Sequence, residues 1–238
     1  DGGIYTFKIR PNATFHDGRP VTSRDVKFTF ASILDGSVRT VKRGHPYNLI
    51  ESIETPDAHT VIFRLKEVFS PFLWNFTGGV IGIIPDGSPA DFNRRPIGSG
   101  PFELVHYRQD DEVALKRNDA YFGTKAGVAA LRFKVIPEPI VRALELRKGT
   151  ADLALNVLPA DMVEVFKRRH DLEVIQADGT NYQYIAFNIA DPVFSDKRVR
   201  QAFAYGIDRE KIIKYLWRDQ ARPAASVLPP NNWAYEPD

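Results

Sequence analysis

The hydrophobic periodicity of this chain changes along its length, and that change constrains the fold more than any other feature. Strand-like segments come first in pairs joined by short turns, as in 102–108 and 112–117 around Gln109–Asp111. Beyond Leu131, β-type runs (131–136, 151–155 and 172–175) alternate with helical segments (139–147 and 159–169). Such alternation predicts helical crossovers and a largely parallel sheet. The expected class is α/β with mixed α+β lobes.

Three pieces are predicted from these patterns. Residues 1–95 form a small α+β domain, in which strands at 4–10, 49–55 and 60–65 accompany a helix that Thr22 and Asp25 cap and that ends before Asp35-Gly36. Residues 96–187 form an α/β lobe. Residues 188–238 are helical to Trp217, contain too little strand for a domain, and are interpreted as the beginning of a further lobe. Asp208 is predicted to cap its helix from Arg209 to Leu216.

Composition excludes several classes of function. The formal charge of +2 is too balanced for an electrostatic nucleic-acid footprint, so nucleic acid is not expected as a partner. The chain has no cysteine, which excludes disulfides, thiolate zinc sites and cysteine nucleophiles. No stretch approaches the 18 uninterrupted apolar residues of a membrane-spanning helix. The 43% apolar content is ample for a packed core.

The sequence offers little for catalysis. Asp110, Asp111 and Glu112 form the densest carboxylate cluster, but their position between two strands favours a solvated hairpin tip. A hydrolase that uses Asp110 or Asp111 with His106 remains the alternative. The five histidines are far apart and none forms an i, i+4 pair, and Gly98-Ser99-Gly100 lacks nucleophile-elbow spacing. We therefore predict no catalytic residue, no metal site and no cofactor.

The polar and aromatic segment 179–188 is the main candidate for ligand binding. Pockets occur preferentially between domains, and this segment lies where the second piece passes into the third. Asn181 could pair with a peptide-like backbone, while the rings of Tyr182 and Tyr184 supply apolar area. An ordinary crossover strand with one buried face is the competing interpretation. Phe72 and Trp74 are a weaker candidate pair, for which core packing is the alternative.

Six motifs in order give the chain a recognisable pattern. They are YTFKIRPNATFHDGRPVTSRDVKFTF (5–30), TPDAHTVIFRLKEVFSPFL (55–73), PIGSGPF (96–102), VALKRNDAYF (113–122), RALELRKGTADLAL (142–155) and NIADPVFSDKRVRQAFAYGIDR (188–209). Across essentially its whole length the chain resembles the family 5 extracellular solute-binding proteins of bacterial ABC importers. The resemblance implies a class II periplasmic-binding-protein fold with an extra domain, whose lobes close around a ligand.

The resemblance also implies a function. The protein would capture a peptide or similar small solute outside the cytoplasm, in the periplasm or at the cell surface with or without a lipid anchor, and deliver it as a monomer to a membrane permease. It would not be an enzyme, although a sensor or chaperone role stays open. Asn181, Tyr182 and Tyr184 match the family's cleft-lining strand. The chain is interpreted as a central fragment, with the acidic residue that binds a peptide amino terminus expected beyond Asp238.

Overall fold

The computed structural model describes residues 2–37, 44–77, 79, 81–89, 91–156 and 158–236. The chain divides into two compact units, Asp1–Val135 and Ile136–Asp238, which are described here one at a time. This division differs from the predicted boundaries at 95 and 187, which stay a prediction. The mixed α/β class is confirmed.

Unit 1 begins with an antiparallel sheet in the order β1-β3-β2. Its strands are β1 (Ile4–Lys8), β2 (Ile50–Asp57) and β3 (Thr60–Leu65). The tight turn between β2 and β3 is stabilised by Asp57, whose carboxylate accepts hydrogen bonds from the His59 amide at 2.7 Å and from the Thr60 hydroxyl at 2.7 Å. The strands predicted at 4–10, 49–55 and 60–65 are therefore present.

Helix α1 (Ser23–Asp35) has the predicted beginning and ends one residue later than predicted, at Asp35. One oxygen of the Asp25 carboxylate accepts from the backbone N–H and the hydroxyl of Thr22, both at 2.7 Å, and its other oxygen accepts from the Asp86 amide at 2.8 Å. The C-terminal cap is Gly36, which adopts a left-handed φ of 86° that favours glycine. The carboxylate thereby also joins the helix start to a distant loop.

The core of unit 1 consists largely of aromatic rings. Phe30 of α1 packs edge-on against Phe63 of β3, with ring centroids 5.1 Å apart. Phe72 and Phe76 come from a 3-10 helix (Ser70–Phe76), and their centroids are also 5.1 Å apart. Pairs at these separations stabilise a core beyond simple area burial.

A second sheet in unit 1 has the order β4-β5-β6. Its strands are β4 (Phe102–Arg108), β5 (Glu112–Arg117) and β6 (Ala130–Lys134). All of its pairings are antiparallel.

The parallel sheet predicted from 131–136, 151–155 and 172–175 is not formed by the described residues: the first segment is present as β6, which pairs antiparallel with β5, and the other two form no strand. Parallel neighbours need a crossover, usually a helix, whereas residues 118–129 between β5 and β6 contain turns and no helix.

Unit 2 contains helices α2 (Pro139–Lys148), α3 (Ala160–Phe166), α4 (Pro192–Ser195), α5 (Lys197–Gly206) and α6 (Arg209–Leu216). The strands predicted at 151–155 and 172–175 are not formed in its described part. A strand needs a partner for its backbone groups, and none is present among these residues. The apolar side chains of Leu153, Leu155 and Ile175 are correspondingly exposed.

The helical region from 188 to 217 is three helices because three aspartates begin them. Asp191, Asp196 and Asp208 each accept a hydrogen bond from a backbone amide in the following turn, at 2.8, 2.8 and 2.9 Å. Helix α6 has the predicted bounds and cap. Within the described ranges, no helix is long and apolar enough to cross a membrane.

Candidate ligand-binding site

The candidate segment 179–188 belongs to no helix and to no strand. Tyr182 and Tyr184 project their rings side by side, with centroids 5.6 Å apart and planes 19° apart. Tyr182 is 40% exposed and Tyr184 is 71% exposed, and Asn181 is exposed beside them. The three predicted residues thus form one continuous surface of unit 2, which we call the tyrosine strip.

The backbone of the strip is free to bind a partner. Among the described residues, no hydrogen bond satisfies the amide and carbonyl groups of 179–187. The segment is fixed at its end by Phe187, whose ring packs 5.3 Å from Phe194 and 5.7 Å from Phe203, measured between centroids. A backbone segment with unsatisfied polar groups can add a peptide as a neighbouring strand, while the two rings contact its side chains.

The second candidate pair lies in unit 1, and its two members differ in exposure. Phe72 has 0% exposure and packs within the aromatic core, so no surface of its ring is available to a ligand. Trp74 is two residues further along the same 3-10 helix and is 76% exposed. The structure therefore favours the core interpretation for Phe72 and leaves Trp74 as an accessible ring.

The carboxylate cluster at the β4–β5 turn does not have the arrangement required by the hydrolase alternative. Asp110 and Asp111 are exposed at the hairpin tip, and Asp111 is paired with Arg108 at 3.1 Å. The imidazole of His106 is bound to neither of them. Its Nε2 lies 2.8 Å from Glu112 Oε1. No His–Asp pair of the predicted kind is present among the described residues.

Glu112 is the residue whose position the sequence reasoning missed. Its side chain is buried at the start of β5, where it contacts His106, Arg108 at 3.0 Å and Arg132 at 2.9 Å. Hydrogen bonds from His106, Arg132 and Arg108, together with the charge of Arg132, lower the pKa of Glu112 from 4.5 to about 2 against the opposing effect of desolvation. The strand register could have indicated that Glu112 is buried among charged partners, since it places Glu112 beside residues of both neighbouring strands.

The described part of the chain contains no group of three or more histidine, aspartate or glutamate side chains arranged to hold a metal ion.

Two open depressions lie among the described residues of unit 1. One, of about 610 Å³, is bordered by Arg10, Tyr121 and Phe122. The other, of about 600 Å³, lies along β4 and is bordered by His16, Arg94 and Arg95. Neither is bordered by a predicted ligand-binding residue.

Residues 1–238 match the family described as bacterial extracellular solute-binding proteins, family 5, middle region, and the chain belongs to this family. It is 30% identical over 249 residues to the oligopeptide-binding protein AppA of Bacillus subtilis, covering 100% of this chain and 45% of that protein. The chain spans about half the length of the curated relatives it matches.

Solved structures agree with this membership. AppA from Bacillus subtilis in complex with a nonapeptide has a TM-score of 0.83 at 27% identity, over 100% of this chain and 48% of that one. The dipeptide-binding protein from Pseudoalteromonas sp. SM9913 in complex with Met-Leu has a TM-score of 0.84 at 26% identity, over 100% of this chain and 52% of that one. NikZ from Campylobacter jejuni in complex with Ni(L-His) has a TM-score of 0.76 at 26% identity, over 92% of this chain and 45% of that one.

Membership confirms the family resemblance and the periplasmic-binding-protein type of fold. The family consists of solute-binding proteins and not of enzymes, and it is extracytoplasmic. Which residues of this chain contact a ligand is a separate question.

Proposed function

We propose that the full-length protein is the substrate-binding component of an ABC importer, which captures peptides and delivers them to a membrane permease. It acts as a monomer in the periplasm or at the cell surface, without a cofactor and without catalysing a reaction. The peptide preference rests on similarity to AppA and to the Pseudoalteromonas dipeptide-binding protein, which are named for peptides. The structural similarity to NikZ, which was solved with Ni(L-His), makes metal chelates the second ligand class to test.

The tyrosine strip is the proposed ligand wall, and its unpaired backbone is the single observation that carries this assignment. The backbone of a bound peptide would form hydrogen bonds with 181–187, Asn181 would supply an amide donor and acceptor, and the stacked rings of Tyr182 and Tyr184 would cover apolar side chains. Trp74 is proposed as a further ring contact. Within this assignment, residues 1–95, 96–187 and 188–238 would be the extra domain, one lobe and the beginning of the opposite lobe.

Thermal denaturation of the full-length protein with and without peptides tests the proposal. A ligand that binds only the native state raises the melting temperature in a concentration-dependent manner. We expect such a shift with di- to oligopeptides, and none with sugars. No shift with peptides of any length would contradict peptide capture, and a shift with nickel-histidine alone would reassign the ligand class.

The double substitution Tyr182→Ala/Tyr184→Ala tests the wall itself. Because each ring contributes apolar contact to the ligand, peptide affinity should fall by at least about tenfold. Tyr205→Ala is the matched control, since Tyr205 is an exposed tyrosine of α5 outside the strip. Equal peptide affinities for the double variant and the control, measured by calorimetric titration, would remove the strip from the site.

A further inference from the structure

The groove along β4 in unit 1 carries an unexplained positive charge. Its borders include Arg94 and Arg95, which directly follow one another and are both exposed. Neither guanidinium has a hydrogen bond or an ion pair among the described residues. Two adjacent arginines without a carboxylate partner raise the local potential and attract anions.

The carboxylates that border the same groove do not neutralise this charge, because each is occupied. Asp17 Oδ2 pairs with Arg19 Nε at 2.7 Å. Glu103 Oε2 pairs with Lys116 Nζ at 2.9 Å. The groove therefore retains the positive charge of its arginines.

His106 also borders the groove and is held in a defined orientation. Its Nε2 is bound to the buried Glu112 carboxylate at 2.8 Å. No hydrogen bond to Nδ1 is present among the described residues, so this nitrogen is open to a ligand.

We propose that this groove binds a small oxyanion, a carboxylate or a phosphate, through the guanidinium groups of Arg94 and Arg95, with the imidazole of His106 at its border. Planar guanidinium groups match the oxygen spacing of both anions. Ile97 and Leu104 border the groove with apolar surface, which strengthens the attraction relative to open water. The site is independent of the proposed peptide wall.

Calorimetric titration of the full-length protein at low ionic strength tests the site with two probes, inorganic phosphate and succinate. Arg94→Gln/Arg95→Gln should weaken anion binding by at least about tenfold, because charge-assisted hydrogen bonds are lost. His106→Gln should weaken it by a smaller factor, because the imidazole borders the groove but does not carry the charge of the two guanidinium groups. Binding of phosphate alone, of succinate alone or of both supports the site and identifies its preferred oxyanion.

Arg147→Gln/Arg168→Gln is the matched control, because it removes the same charge from two exposed arginines of unit 2. It should leave anion binding unchanged. Absence of binding by both probes, or equal weakening by the control, would overturn the proposal. Peptide titration of the same variants reports whether they are folded, since none of the substituted residues belongs to the tyrosine strip. If Arg94→Gln/Arg95→Gln is misfolded, the test relies on three single variants, which are His106→Gln, Arg94→Gln and Arg95→Gln. Anion binding that is unchanged in all three would overturn the proposal.

Discussion

At the scale of single residues, the 3-10 helix Ser70–Phe76 separates a core residue from a surface residue. Phe72→Ala should lower the free energy of unfolding by about 3–5 kcal/mol, because it removes a buried ring from a close-packed aromatic cluster. Trp74→Ala should change it by less than about 0.5 kcal/mol, since most of that ring is exposed. Urea denaturation measures both values. Similar losses for the two variants would contradict the assignment of Phe72 to the core.

Glu112 makes a pH-dependent contribution to stability. Its pKa is about 2 in the folded protein and 4.5 in an ordinary environment, so the ionised carboxylate stabilises the fold above pH 4.5. The contribution is lost as the pH falls from 4.5 towards 2. Melting temperatures of the native protein and of Glu112→Gln should therefore differ most above pH 4.5 and converge in acid. A difference that persists unchanged at pH 2 would contradict the ionic role.

The exposure of a side chain was predictable where its place in the sequence alone determined its surroundings. The sequence placed Asp110 and Asp111 at an exposed hairpin tip, where the structure has them. Glu112, their neighbour, was grouped with them although it is 3% exposed. Its burial depends on Arg132 from β6, and only the strand register brings that residue into contact.

At the scale of elements, the start of α1 tests how far one carboxylate stabilises a helix and a loop together. Asp25→Ala leaves the Thr22 and Asp86 amides without their acceptor, so the free energy of unfolding should fall by about 1–3 kcal/mol. Asp91→Ala is the control, because Asp91 is exposed and its side chain forms no cap bond. Chemical denaturation compares them, and equal stabilities would contradict the capping role.

Elements with local signals were predicted well. The β2–β3 turn, the capped helix α1 and helix α6 after Asp208 follow from neighbouring residues alone. The β runs at 151–155 and 172–175 were not confirmed, because a strand depends on a partner elsewhere in the chain. The predicted parallel sheet is absent for the same reason, because two of its three strands find no partner among the described residues although helices α2 and α3 are formed.

At the scale of the whole molecule, the family was predictable because six motifs occur in order across the chain, and the match over residues 1–238 confirms it. The site was less predictable. Segment 179–188 has the composition of a binding strand, but composition did not indicate that its backbone is unsatisfied in unit 2. The chain spans about half the length of its relatives, so a complete cleft is a property to test in the full-length protein.

Hydrogen exchange of the full-length protein with and without a bound peptide tests the central claim most directly. The amides of 181–187 have no intrachain acceptor among the described residues, so they should exchange rapidly in the free protein and slow down markedly with peptide. The amides of β3, in the centre of its sheet, should be protected in both states and provide the internal control. Peptide binding that protects other segments and leaves 181–187 unchanged would contradict the account.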